Sequence, residues 1–159
     1  LPFFSQLHHV LYVMGLSMVP VIELRGSIFL GAGLGLPWVE TFVAAVIGNM
    51  IPVPFIILLG RQILKLLKKI PLTMKLGVWL EEKALAKSDK IRKYSFWGLV
   101  LFVGIPLPGT GAWTGALIAC LLRLRLNYAL PAIFIGVLAA GFIVSGVAYG
   151  FLGFLSFLA

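Results

Sequence analysis

Apolar positions fall into four long blocks. Leu1–Ile22 carries no Asp, Glu, Lys or Arg; Gly26–Gly60 carries only Glu40; Tyr94–Leu122 and Leu126–Ala159 carry none. A helix that spans a bilayer needs about 20 apolar residues, so counting alone gives four or five spans. Proline and glycine change that reading. Ile105-Pro106-Leu107-Pro108-Gly109-Thr110-Gly111, near the middle of the third block, cannot continue a helix. The flanking pieces, Tyr94–Gly104 and Ala112–Leu122, each reach only about 16 Å, half of a bilayer core. Two half-length helices joined by a polar break predict a re-entrant hairpin. Irregular backbone at that depth survives only where it is buried in protein or lines a wet cavity.

The first block is interrupted in the same way, at Pro20-Val21-Ile22-Glu23-Leu24-Arg25-Gly26. Leu1–Val19 precedes the break. The short apolar piece Ser27–Leu36 follows it and closes at Gly35-Leu36-Pro37. Trp38–Leu64 and Leu126–Leu158 are long enough to span, the first with a kink at Pro52 and Pro54. The order is hairpin, span, basic loop, hairpin, span. It repeats at an offset of roughly 86–88 residues, with Pro20 on Pro106, the Glu23–Gly26 break on Gly109–Ala112, and Gly48 on Gly136. A hairpin adds no crossing and a span adds one, so the two repeats take opposite orientations, a transporter design in which broken helices meet near the midplane. The predicted fold is an all-α integral membrane protein, an inverted repeat of re-entrant helical hairpin plus transmembrane helix. It is a single membrane domain over 1–159: a first repeat over 1–64, a basic cytoplasmic amphipathic linker over 65–93 and a second repeat over 94–159.

Composition agrees. Hydrophobic residues make up 61% of the 159 and charged residues 11%, far from the roughly 25% charged residues of a soluble domain. A soluble enzyme, a disulfide scaffold and a disordered regulator are thereby excluded. Thirteen Lys and Arg stand against five Asp and Glu. Ten of the basic residues lie between Arg61 and Lys93, so the basicity belongs to one loop. A basic face with base-reading or stacking groups is absent, so no nucleic-acid partner is expected. A short basic loop between apolar spans reads as cytoplasmic. With that loop inside, Arg123 and Arg125 also fall inside, and Arg25 alone among the basic residues does not. Within the linker, Leu76, Trp79, Leu80, Ala84 and Ile91 share one face and Asp89 precedes Lys93 by four, predicting a short helix that anchors at the membrane surface. The apolar N-terminus has no basic region before it, so no signal peptide is expected. Cys120 has no partner in the chain and reads as a small apolar residue.

Candidate chemistry concentrates in the breaks. Glu23 and Arg25 are charges at bilayer depth, which normally face a pathway or a partner. They read either as a structural ion pair or as a site in which Arg25, with a planar fork suited to phosphate, holds an anionic headgroup while Glu23 titrates or competes for it. In the second break Thr110 and Thr114 offer hydroxyls, for a cargo or as helix caps, and Gly109 and Gly111 expose backbone N–H groups. Asn49 sits mid-span, facing the breaks or bonding another helix. The candidate substrate-binding residues are therefore Glu23, Arg25, Asn49, Gly109, Thr110, Gly111 and Thr114. His8 and His9 are adjacent and cannot share a helical face as ligands. No metal site, catalytic triad or cofactor is expected.

Val21-Ile-Glu-Leu-Arg-Gly-Ser-Ile, and again Gly104-Ile-Pro-Leu-Pro-Gly-Thr-Gly-Ala-Trp-Thr-Gly-Ala-Leu, resemble the small multidrug export proteins, a resemblance covering nearly the whole chain. That family is related to the DedA/VTT superfamily, which implies two opposed re-entrant hairpins and translocation of polyprenyl phosphates or phospholipids. The resemblance implies a multi-pass protein of the prokaryotic inner (plasma) membrane. In DedA-type members an acidic residue in the first hairpin and an arginine in the second are implicated. Glu23 matches the former. Gly109-Thr110-Gly111 stands where the arginine would be, which leaves Arg25 to supply the charge. The expected function is a translocase of an anionic lipid carrier, with membrane lipids as partners and Glu23 available for proton coupling. The alternative is a small-molecule multidrug exporter. A lipid-phosphate phosphatase is the least favoured reading, because the chain lacks a nucleophile cluster or a metal clamp. The protein is thus expected to be a transporter and not an enzyme. Its small-residue faces suit a homodimer.

Overall fold

The computed structural model describes residues 2–107 and 109–158, with the side chains of 1–4, 87–92, 94 and 95 left undescribed. Pro108 of the second break and the linker positions Asp89 and Ile91 therefore fall outside the described backbone or side chains. The described residues form seven helices and no strand: α1 (Pro2–Ser17), α2 (Glu23–Gly33), α3 (Trp38–Met50), α4 (Pro52–Lys69), α5 (Met74–Gly104), α6 (Ala112–Leu121) and α7 (Leu126–Leu158). Two runs are long and apolar enough to cross a membrane: Trp38–Lys69, 32 residues through α3 and α4, and the 33 residues of α7. Ile51 between α3 and α4 keeps helical angles (φ −56°, ψ −49°). Pro52 and Pro54 fall in the first turn of α4, where a missing N–H costs least. The helical run therefore continues through Ile51.

By its contacts the chain forms two compact units, Leu1–Ile51 with Val137–Ala159, and Pro52–Gly136. In the first, α1, α2 and α3 pack on one another. The Ser17 hydroxyl donates to the Ala45 carbonyl at 2.6 Å. Nearby, Gly48 lies against the Met14 backbone, so α1 and α3 run in opposite directions. α2 ends in a Schellman turn: Leu36 N–H reaches Gly31 O at 3.0 Å and Gly35 takes φ +75°. The chain then returns as α3, with Gly31 against Thr41. The second half of α7 closes this unit. Phe142 packs on Phe42 with centroids 4.7 Å apart. The Tyr149 hydroxyl donates to Leu36 O at 2.9 Å and accepts from Thr41 Oγ1 at 2.7 Å. Thr41 is fully buried. Tyr149→Phe leaves that hydroxyl and that carbonyl wanting, and is expected to cost about 1–3 kcal/mol, seen as a lower melting temperature in detergent at unchanged helix content.

In the second unit α4, α5 and α6 pack on one another. Gly60 of α4 admits the Cys120 sulfur, which a Cβ there would meet at 3.0 Å. Leu99, Val103, Leu117, Ile118 and Ile133 are buried in the core of this unit. α6 ends as α2 does: Leu124 N–H bonds Ala119 O at 2.9 Å, and Arg123 takes the left-handed φ, +55°. Gly136 approaches Val100 O, as Gly48 approaches Met14 O. The pairs Gly35 with Arg123, and Gly48 with Gly136, both recur at roughly 88 residues.

The structure departs from expectation at the linker. The basic stretch and the first limb of the second hairpin form one helix, α5, running without a boundary at 93/94. Composition shifts there, but no proline lies between Pro71 and Pro106, and the Lys, Glu, Ala and Arg of the stretch are good helix formers. Part of the expected apolar face is turned inward. Leu80 and Ala84 are fully buried, and Gly77 lies 2.9 Å from Leu67 of α4 at the position of a Cβ. Lys68 of α4 forms an ion pair with Glu81. At Leu80 and Ala84 that face packs against protein, while Leu76 and Trp79 are half-buried.

Candidate functional site

The first break is made by Pro20, which stops the helix from α1. The chain then tightens into an α-turn, with Glu23 N–H bonded to Val19 O at 2.9 Å. Glu23 takes φ +49°, a left-handed conformation that costs a non-glycine residue about 1–2 kcal/mol. α2 starts from it, with Gly26 N–H on Ile22 O at 2.9 Å. Glu23 and Arg25 were expected in non-helical backbone; they occupy the first turn of α2, because Ile22 O already accepts the first helical bond.

This geometry explains how the two charges meet. Residues two apart on a regular helix do not face each other. The left-handed step at Glu23 redirects its side chain, and Arg25 Nη1 comes to 3.6 Å from Glu23 Oε2. The carboxylate side chain is 7% exposed and the guanidinium 20%. The buried member is thus the acid, and the arginine is the one that reaches outward.

Asn49 is buried, and its Oδ1 has no hydrogen-bond partner among the described residues. Gly31 opposite Thr41 sets the register of the α2–α3 hairpin. Moving about 12 Å back along α2 and the same distance forward along α3 reaches Glu23 and Asn49. The amide and the ion pair thus belong to the same unit. Ser145 on α7 is a second buried side chain whose oxygen lacks a partner among the described residues. It was not among the sequence candidates, since a lone serine in an apolar run carries no signal.

The second break belongs to the other unit. Ile105 ends α5, and Gly109 turns through φ +78°. The Thr110 hydroxyl lies 2.7 Å from both Ile105 O and Leu107 O, so its proton satisfies the carbonyls of the loop. Gly111 is the N-cap of α6, extended at φ −83° and ψ −173° and with no side-chain cap bond. Thr114 is buried in the first turn of α6. Of the sequence candidates, Glu23, Arg25 and Asn49 share one unit and Gly109, Thr110, Gly111 and Thr114 share the other.

A residue not anticipated from the sequence joins the second group. The stem of Lys83 covers Gly109, with Cδ and Cε at 3.3 and 3.5 Å from the position of a Cβ. A larger residue at Gly109 would press on that stem. Lys83 precedes the break by most of α5, and no local pattern connects them. It brings a positive charge to a loop that has none of its own.

A family model described as "Putative small multi-drug export protein" matches residues 23–143. The chain belongs to that family. The match begins at Glu23 and takes in every candidate residue above, Lys83 included, except Ser145. No curated protein and no solved structure matches the chain. Family membership and two apolar helices of spanning length make this family member a helical membrane protein.

Proposed function

We propose that this family member is a multi-pass transporter of the prokaryotic inner membrane that translocates an anionic amphiphile, a polyprenyl phosphate or a phospholipid. The observation that carries the proposal is the Glu23–Arg25 pair, built into a helix break at the expense of a strained residue. In this reading Glu23 is a built-in substitute for the cargo. A phosphate displaces the carboxylate from the Arg25 fork. Glu23, buried, then takes a proton, because an unpaired carboxylate is costly away from water. Lys83, over Gly109, gives the second break an anion-attracting group, with the N–H groups at the start of α6 beside it in sequence. The cycle is transport, with no covalent step and no cofactor.

The same proposal reads the pieces either side of each break as a re-entrant hairpin and the chain as an inverted repeat related to the DedA/VTT superfamily. The recurring left-handed turns at Gly35 and Arg123, and the recurring close approaches at Gly48 and Gly136, support the repeat. A homodimer is part of the proposal, since Gly146, Gly150 and Gly153 have open space beside them. A second reading, export of small cationic drugs with Glu23 as counter-charge, is favoured by the family's description.

The test is lipid flip in proteoliposomes carrying equal amounts of folded protein. Glu23→Gln and Arg25→Gln are each expected to abolish flip of a phosphate lipid, and the double variant controls for folding. Unchanged flip rates in all three would refute the reading. Efflux of a cationic dye that fails in Glu23→Gln, with flip absent from the native protein, would establish the second reading instead.

A further inference from the structure

We propose that the groove between α1 and α3 is a binding site for a small lipophilic monocation, separate from the Glu23–Arg25 pair and independent of the cargo held there. The groove has a volume of about 510 Å³, within the range of about 300–1,000 Å³ that holds small molecules. α1 lines it with Leu7, Val10 and Met14, and α3 with Val43 and Ile47. Two exposed polar side chains stand at its rim, Gln6 from α1 and Glu40 from α3. Leu7, Val43 and Ile47 are 41–48% exposed, so the walls are open to an occupant.

The sign of the occupant's charge follows from Glu40. It is the sole charged residue of the apolar block Gly26–Gly60. Among the described residues it forms no ion pair or hydrogen bond. One ordinary use of such a carboxylate is to close a capping box onto the backbone N–H of the N-cap. The N-cap of α3 is Pro37, which has no N–H to offer. Glu40 gains from the positive end of α3, and its oxygens remain available. An apolar cleft bearing one uncommitted carboxylate and one neutral amide fits a molecule with a bulky apolar body and a single positive charge. An anion would meet Glu40 without a compensating cation, since the block that forms this wall has no Lys or Arg.

Tetraphenylphosphonium and tetraphenylborate have the same shape and opposite charge, and equilibrium binding of each to the protein in phosphatidylcholine nanodiscs tests the site. The phosphonium is expected to bind saturably and the borate not to. Glu40→Gln should weaken phosphonium binding roughly tenfold, the scale of one partly solvated charge pair. Ile47→Trp, which fills the groove from an exposed position, should weaken it as well, with the native melting temperature kept in both. Glu23→Gln should leave it unchanged. Equal binding of phosphonium and borate, or native phosphonium affinity in Glu40→Gln, would overturn the site. So would loss of binding in Glu23→Gln alone, which would place the cation at the hairpin.

Discussion

Gly48→Leu is expected to yield no folded protein, or a protein whose melting temperature in detergent is lowered by an amount corresponding to more than about 4 kcal/mol. At Gly48 a Cβ would run into the Met14 carbonyl oxygen, and it would come to 2.9 Å from the carbonyl carbon and 3.0 Å from the Cα. All three atoms are backbone, so no rotamer change relieves the contact. α1 must move away from α3. That movement would break the Ser17 bond to Ala45 O, one turn further on, and strip the buried Val13 of its packing. Size alone does not set the outcome. Gly15, one residue after Met14 on α1, has nothing within 4 Å of its Cβ position, so Gly15→Leu should fold normally and serves as the control. Matched yields and melting curves for the two variants would show that close approach at Gly48 is unimportant.

The second large effect lies in the ion pair, and its signature is non-additivity. Arg25→Gln leaves Glu23 buried without its countercharge, and a loss of about 3–5 kcal/mol is expected. Removing both charges in Glu23→Gln/Arg25→Gln is expected to restore most of that stability, because two neutral amides carry little desolvation penalty. The double-mutant cycle, read by thermal or denaturant unfolding in detergent, should therefore show strong coupling. Additive losses would mean that the two side chains act separately. Activity should behave oppositely, since the double variant is expected to fold and yet to transport nothing. That split between stability and transport distinguishes a working pair from one that merely staples the break.

Much of the helical layout was legible because it is written in helix breakers. Pro20, Gly35-Leu36-Pro37 and the run from Pro106 to Gly111 mark turns wherever they occur, and α2, α3 and α6 begin or end at them. The linker misled for a related reason. Charge changes sharply at 93/94, but charge governs solvent preference, while helices stop where a backbone group is lost or strained. Nothing there does that, so α5 continues. The site was legible where one residue type announces a cost, as Glu23 and Arg25 do in an apolar block. How they meet was hidden, because it depends on the left-handed angle at Glu23. Asn49 could be singled out as polar; that its Oδ1 is buried without a partner among the described residues required the packing of α3. Lys83 over Gly109 and Tyr149 on Thr41 join distant parts of the chain, and no local spacing encodes either.

The turn that closes α6 has a consequence for how the chain settles in its membrane. At the equivalent turn after α2 a glycine takes the left-handed angle at little expense, whereas here an arginine takes it, at a cost of about 1–2 kcal/mol. Arg125 follows two residues later, just ahead of a 33-residue apolar helix. Positive side chains beside such a helix hold its end on the cytoplasmic face. On the proposed topology, the residue best suited to the backbone at 123 is therefore not the residue best suited to fixing which way the protein faces, and the arginine serves orientation at the expense of the turn.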